Sequence, residues 1–298
     1  MKKVCLAVCL LFLVFAGPLA AMQLEISAGA GNLTYDSDLK EALSLESNPK
    51  PFDPKLFLLG RAAVSGETSY FYYEAGIERS PILRNLFFAN FGVDLINFSM
   101  HVGPFVGLLN TPEEIFNPGL AVGLGLEFPG IFYVNANASS SLGGTWGAVG
   151  SYTQRTGDVS AGFWVPHVIC SLNVQTQSFS EKKDVNLLVE DSVIRYFFRA
   201  DVFAKNIPFT VKVDLGYGSL MRSYYAQMIE SNEIVTESTK DEFRFFYVGF
   251  RAAYSFSQRL QVFLSGELPV HAWSVPEMKN TKHGTFLFQA QTGVVLTF

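Results

Sequence analysis

From position 22 onward the chain alternates. Leu24, Ile26, Ala28 and Ala30 fall on one parity, while Gln23, Glu25, Ser27, Gly29 and Gly31 fall on the other. A period of two belongs to a strand with one apolar face. The pattern returns in Phe209, Val211, Val213, Leu215 and Tyr217 against Thr210, Lys212, Asp214, Gly216 and Gly218. It returns again in Ile194, Tyr196, Phe198, Ala200 and Val202 against Arg195, Phe197, Arg199, Asp201 and Phe203, and in Leu260, Val262 and Leu264 against Gln261, Phe263 and Ser265. With 49% hydrophobic and only 16% charged residues the chain is not intrinsically disordered. After the first 21 positions it holds no uninterrupted apolar run of the roughly 18 residues that a membrane-spanning helix needs. The 28 Phe, 12 Tyr and 25 Gly favour strands and tight turns. Outside the N-terminus no helical periodicity stands out, although Asp38 to Leu45 fits one turn of surface helix.

Met1-Lys2-Lys3 followed by the apolar stretch Val4 to Phe15, the break Ala16-Gly17-Pro18 and the small residues Ala20 and Ala21 reads as a secretory leader cleaved near Ala21. Cys5 and Cys9 do not follow a lipobox. Removing residues 1–21 leaves 277 of the 298 residues, and the loss of Lys2 and Lys3 takes the net charge from −5 to −7. No cluster of Lys and Arg is present, which argues against nucleic acid as a partner. Only Cys170 survives processing, so neither an intramolecular disulfide nor a cysteine-based metal site can be built, and the residue reads as a core or outward-facing strand cysteine.

A soluble sandwich or barrel hides the apolar face of such strands, whereas a membrane barrel turns it to lipid around a polar interior. Three features favour the second. Apolar faces mix small and aromatic residues, as in Leu120, Val122, Leu124, Leu126 and Phe128 opposite Ala121, Gly123, Gly125 and Glu127, and aromatics gather toward strand ends. Short turns at Ser65 to Glu67, Pro129-Gly130, Thr156 to Asp158, Asn206 to Pro208 and Ser257-Gln258 contrast with long polar segments at Asp36 to Pro54, Asn110 to Asn117, Arg222 to Asp241 and Ser274 to Gly284. Finally, Phe286, Phe288, Ala290, Val294, Leu296 and Phe298 share a parity, and the sequence stops on Phe298. In leader, alternation and terminal Phe298 the chain resembles the bacterial outer-membrane β-barrel proteins, at the level of the class and not of one family. The resemblance implies an outer-membrane location and a final strand, ending at Phe298, that the barrel-assembly machinery recognises.

The expected fold is therefore all-β: a transmembrane antiparallel up-and-down barrel, a single domain over 22–298. Strands are expected near 22–35, 55–65, 68–79, 85–94, 96–109, 117–128, 131–140, 144–155, 159–180, 185–204, 207–222, 242–256, 259–272 and 284–298, about fourteen in all, with twelve as the alternative count. Around Leu95 and Ile96 the parity flips, which fits either a β-bulge or a two-residue turn.

Placing the polar parity inside lines the lumen with Glu25, Arg61, Glu74, Glu78, Glu127, Arg195, Arg199, Asp201, Lys212, Asp214, Arg251 and Glu267. Such charges either interlock as a plug or line a water-filled passage. The leading expectation is a porin-like passive channel for small hydrophilic solutes, with weak ion selectivity because both signs are present. The alternative is a plugged structural barrel, or an adhesin or receptor that binds an extracellular ligand through the segments 36–54 and 222–241. An enzyme is not expected. His101, His167 and His271 fall on the polar parity and His283 in or beside an outer loop, where a lone histidine reads as a hydrogen-bonded residue and not a base; Ser139 to Ser141 lack a G-x-S-x-G context, and Glu74 and Glu78 are about 13 Å apart at strand rise, too far for an acid-base pair. No cofactor is expected. Nor is a metal: Asp36-Ser37-Asp38 lacks further ligands, and Gly119, Gly123 and Gly125 lie within a strand, where they make room for neighbours and not a phosphate loop.

Overall fold

The computed structural model describes residues 21–34, 56–68, 70–108, 117–142, 152–184, 187–203, 207–230, 233–275 and 286–298. They form fourteen strands: β1 (Ala21–Gly31), β2 (Phe57–Glu67), β3 (Phe71–Ser80), β4 (Arg84–Leu95), β5 (Phe98–Leu108), β6 (Asn117–Phe128), β7 (Phe132–Ser141), β8 (Tyr152–Val165), β9 (Val168–Asp184), β10 (Leu187–Phe203), β11 (Phe209–Glu230), β12 (Glu233–Ser257), β13 (Leu260–Val275) and β14 (Gln289–Thr297). Each strand pairs antiparallel with its sequence neighbours, and β1 pairs with β14 from Gln23↔Thr297 to Gly31↔Gln289 to close the barrel. The seam is completed where the amide of Phe298 donates to the carbonyl of Met22 at 2.8 Å. Closure leaves the sheet without a free edge, so every strand has a ladder partner on both sides.

The connections separate the two ends of the barrel. Ala21 and the C-terminal Phe298 lie at one end, together with the connections that follow β2, β4, β6, β8, β10 and β12, among them the turns at 96–97, 129–131, 166–167 and 258–259. The parity flip near Leu95 is a two-residue turn at Ile96-Asn97. Three expectations of the sequence are corrected. The turn expected at Ser65 to Glu67 is the end of β2, where Ser65, Gly66 and Glu67 pair with Glu74, Tyr73 and Tyr72. The turn expected at Thr156 to Asp158 lies inside β8, where Thr156, Gly157 and Asp158 pair with Gln177, Thr176 and Gln175; the chain reverses at Pro166-His167 instead, where proline ends the ladder and His167 takes φ 68°. The long segment Arg222 to Asp241 is not a loop: β11 and β12 run on and pair as far as Glu230↔Glu233. The leader, the segment 36–54, the helical turn at 38–45 and His283 lie outside the described residues.

Burial on the two faces explains this elongation. In the half of β12 nearer the short turns, the outward residues are Phe246, Val248, Phe250, Ala252, Tyr254 and Phe256, while Gly249 and Arg251 point inward. Beyond Phe246 the preference inverts. Phe243 (0% exposed) and Phe245 (1%) face inward, and Lys240, Glu242 and Arg244 share the outward parity. In β11, similarly, Val211, Val213, Leu215 and Tyr217 face out over one half, and Leu220 turns inward in the other, where Ser219, Met221 and Ser223 face out. In the first half the strand divides lipid from a polar lumen, and in the second it divides water from a packed core. Eleven positions from 246 to 256 at about 3.3 Å rise and about 40° tilt give a band roughly 25 Å tall, the height of a hydrocarbon core.

Inside, large rings lie against glycines on the neighbouring strand. A Cβ on Gly218 would sit 2.5 Å from the Phe245 ring and one on Gly216 2.6 Å from the Tyr247 ring, so the missing side chains let two aromatics lie flat across β11. Replacing Gly218 by Leu is expected to eject the Phe245 ring and destabilise the barrel by about 2 kcal/mol, read as a lower urea midpoint of the heat-modifiable folded band. An unchanged midpoint would mean that the ring is not held there.

Candidate functional site

The charged positions expected to line the lumen all lie on the parity that faces the barrel axis: Glu25 on β1, Arg61 on β2, Glu74 and Glu78 on β3, Glu127 on β6, Arg195, Arg199 and Asp201 on β10, Lys212 and Asp214 on β11, Arg251 on β12 and Glu267 on β13. Most of them are paired across strands. Arg61 bridges Glu74 and Glu78, the latter at 2.9 Å. The Arg199 guanidinium donates to both oxygens of Asp214 at 2.7 and 2.8 Å, and Lys212 donates to Asp201 at 2.9 Å. Arg195 reaches further round the wall to Glu267 at 3.3 Å. Glu127, near the short-turn end, is exposed.

All of these groups except Glu74, Glu127 and Asp201 line a cavity of about 580 Å³ within the lumen. Its wall also carries Gln175, Gln177, Ser265, Gln289 and Gln291, and its inner ceiling is apolar: Leu33, Ile82, Val193, Phe197 and Tyr247. Above the ceiling lies a cluster that the alternation alone did not reveal. Leu33, Ile82, Tyr152, Phe179, Val193, Phe197, Leu220, Phe243, Phe245, Tyr247 and Leu287 are each at most 8% exposed and pack together. They come from both sides of the lumen, from β8 to β12 and from the chain beside β1, β3 and β14.

The turn at 81–83 is central to that cluster. Instead of standing clear of the barrel it folds inward: Ile82 is 3% and Leu83 5% exposed, the Leu83 amide donates to Ser80 Oγ at 3.0 Å, and Gln154 donates to the Leu83 carbonyl. Beside it Arg84, at φ 64°, places its guanidinium 3.7 Å from Asp191, whose oxygens also accept from Arg222 at 2.6 and 2.7 Å. A bidentate pair this deeply buried has strong geometry and no water to replace a lost partner. Substituting Asp191 by Asn is expected to leave two guanidinium groups without their counter-charge, to cost about 3 kcal/mol of stability, and to make the chain at Arg84 susceptible to trypsin. Resistance equal to the wild type would show that the turn is held without Asp191.

Burial along the lumen is graded. Inward positions at the far end are buried, among them Ser80, Asn117, Ser141, Gln154, Asp191, Arg222 and Ser274. At the short-turn end the inward residues Gln23, Glu67, Asp94, Glu127 and Thr210 are exposed. The polar cavity therefore opens toward the short turns and is capped by packed side chains at the other end.

Of the histidines, His101 is inside, edge-on to Tyr72 at 6.2 Å, and His167 occupies the 166–167 turn. The sequence placed His271 on the polar parity. An extra residue, Val270, between the pairs Tyr247↔Pro269 and Phe246↔His271 shifts the register and turns His271 outward, beside Trp273 at 5.4 Å. Cys170 has outward parity on β9.

The outer face carries aromatic residues at both edges of its apolar band. Phe71, Phe98, Phe163, Tyr254, Phe256 and Phe298 are exposed toward the short turns, and Tyr196, Tyr217, Phe246 and Trp273 form a connected row at the other edge, with ring centroids 5.6 to 6.5 Å apart. Beyond that row Glu242 accepts from Arg244 at 2.7 Å and Ser219 at 2.8 Å, and Lys240 lies at 3.0 Å. Apolar band, aromatic edges and charges beyond them follow the layering of a bilayer and its interfaces. The architecture is that of an outer-membrane β-barrel.

No family model and no curated protein matches the chain. Among solved structures it is similar to OmpT, an outer membrane protein of Vibrio cholerae, in a form with loop L8 deleted (10% identity over 93% of this chain and 99% of that one, TM-score 0.43). It is also similar to OmpF of Salmonella typhi (10%, 93% and 97%, TM-score 0.36) and to OpdK of Pseudomonas aeruginosa (11%, 93% and 98%, TM-score 0.37).

The outer charged group has a pH signature. Burial alone would raise the Glu242 carboxyl, but the hydrogen bonds from Arg244, Ser219 and Lys240 outweigh it and hold it down to about 2. A carboxylate depressed in the folded state adds stability that is complete above its unfolded value of 4.5 and is lost as the pH falls toward about 2. The stability difference between wild type and Glu242→Gln is therefore expected to shrink over that interval, measured as urea midpoints at successive pH values. A difference independent of pH would reject the assignment.

Proposed function

We propose that this protein resides in the bacterial outer membrane as a barrel with a closed lumen: a polar chamber accessible to small hydrophilic solutes from the periplasmic side, under an apolar layer that prevents free diffusion. The carrying observation is the eleven-residue cluster, each member at most 8% exposed, drawn from both sides of the lumen above the cavity. In this orientation the short turns, the start of β1 and the C-terminal Phe298 face the periplasm, as is usual for barrels with short periplasmic turns. Phe298, 66% exposed at the seam, is the end of the strand that the assembly machinery would engage.

Fourteen strands leave a lumen wide enough for a passage if only short polar side chains line it. Here Phe197, Phe243, Phe245 and Tyr247 occupy that width. The passive channel suggested by the mixed lumen charges accordingly yields to the plugged barrel as the better reading.

Planar-bilayer recording on refolded protein tests this directly, with heat-modifiable migration as the check of folding. Wild-type protein is expected to show no steady conductance, and the double variant Phe243→Ala, Phe245→Ala is expected to open a water-filled path with measurable steps. Steady single-channel steps from the folded wild type would overturn the closed-lumen reading in favour of a passive pore.

A further inference from the structure

The cavity's charges are not all neutralised by their neighbours. Arg61, Arg195, Arg199 and Lys212 each hold a carboxylate, and Glu78, Asp214 and Glu267 are the corresponding acids on the wall. Arg79 also lines the cavity, but it lies on the opposite parity of β3, at the far end, and rests on the Phe57 ring. Two lining charges remain. Arg251 has no ion pair among the described residues; its guanidinium carbon lies 3.8 Å from the centre of the Phe263 ring. Glu25 makes no contact ion pair among the described residues, although its charge acts on Arg61 and Arg251.

These two groups differ from the rest in what they offer a ligand. A guanidinium lying on a ring keeps its N–H edge free, in the geometry that takes a carboxylate with two parallel hydrogen bonds. Glu25 offers two acceptor oxygens of the opposite charge. Arg251 on β12 and Glu25 on β1 are three strand steps apart, roughly 14 Å along the wall, and both line the cavity, where Arg251 feels the Glu25 charge. Between and around them Gln175, Gln177 and Gln289 present amides with no hydrogen-bond partner among the described residues. Neutral amides recognise peptide groups without preferring either sign. A cavity of about 580 Å³ is large enough for a ligand of a few residues.

We propose that this chamber binds a small zwitterion of the amino-acid or short-peptide class, its carboxylate on Arg251, its ammonium on Glu25 and its amides on the glutamines. The proposal deepens the reading of the lumen as a chamber open to the periplasmic side, and it rests on that reading. The neighbouring ion pairs serve it by holding the other paired wall charges in contact with a counter-charge. The ligand's two ends are then drawn to Arg251 and Glu25, which make no contact ion pair.

The test is equilibrium dialysis of labelled triglycine against the refolded, detergent-solubilised barrel, with N-acetyl-triglycine and triglycinamide as forms lacking the ammonium and the carboxylate. Saturable binding of triglycine is expected, with each blocked form weaker by roughly tenfold or more. Arg251→Gln should weaken triglycine by a similar factor and leave triglycinamide unchanged; Glu25→Gln should weaken triglycine and leave N-acetyl-triglycine unchanged. The comparison of the three ligands on wild-type protein stands even if a variant fails to fold. Equal binding of all three ligands, or no binding to the folded barrel, would overturn the proposal. Conductance recorded on the same preparation separates the two readings. A pore that conducts and still discriminates the blocked forms refutes the closed lumen alone, and a silent barrel that binds none of the three refutes the zwitterion site alone.

Discussion

Everything in this molecule depends on closing the sheet. A backbone that crosses lipid must satisfy each amide and carbonyl within the protein, and a closed antiparallel ladder is one of only two ways to do it. The register from Gln23↔Thr297 to Gly31↔Gln289 supplies the last pairing, and the Phe298 amide on the Met22 carbonyl carries it to the end of the strand. Closure then creates a second problem. Fourteen strands enclose more width than short polar side chains can fill, and the contents of that width decide whether the barrel is a pore or a vessel.

Two different solutions are used along the axis. Near the short turns the lumen remains wet, and its charges are arranged in cross-strand pairs such as Arg199 with Asp214 and Lys212 with Asp201. Partly exposed pairs of this kind add little to stability, but they avoid burying an isolated charge. At the other end the interior is dry. There the inward residues are aromatic and aliphatic, the turn at 81–83 adds Ile82 and Leu83 from above, and the most deeply buried ion pair among the described residues, Asp191 with Arg222, joins β10 and β11 and draws in Arg84 of β4. Glycines at 216 and 218 matter because a ring across the lumen needs a wall without side chains to rest against.

Much of this was legible in the sequence. Period-two alternation identified the strands, and charges on the polar parity identified which residues look inward, because in a half-buried strand those two properties are the same fact. Turn positions were less legible: Thr156-Gly157-Asp158 has turn composition but sits in β8, since Gly157 opposite Thr176 provides space within a ladder and Pro166 is the residue that cannot continue one. His271 was misplaced because a single extra residue, Val270, reverses the face of the residues after it in β13, and a bulge leaves no mark in composition. The apolar layer was missed for a different reason. Aromatic residues were counted as lipid-facing edges, although Phe197 beside Phe198, and Phe245, Phe246 and Tyr247 in succession, put large apolar groups on both faces, which in any sheet means that both faces are covered.

That doubling also accounts for the lengths of β11 and β12. A strand confined to lipid has reason to continue only until its outward residues meet water. Here the apolar parity changes sides at Phe246, where Phe245 and Phe243 take over on the inside and Arg244, Glu242 and Lys240 on the outside. One continuous ladder therefore passes from an inside-out barrel to an ordinary soluble one without a break in hydrogen bonding, and the sign of its hydrophobic alternation shows where the membrane ends. The soluble-type half supplies the packed core that caps the lumen. The membrane-type half keeps the polar chamber, so the boundary between them fixes both the thickness of the lipid band and the level at which the lumen turns from polar to apolar.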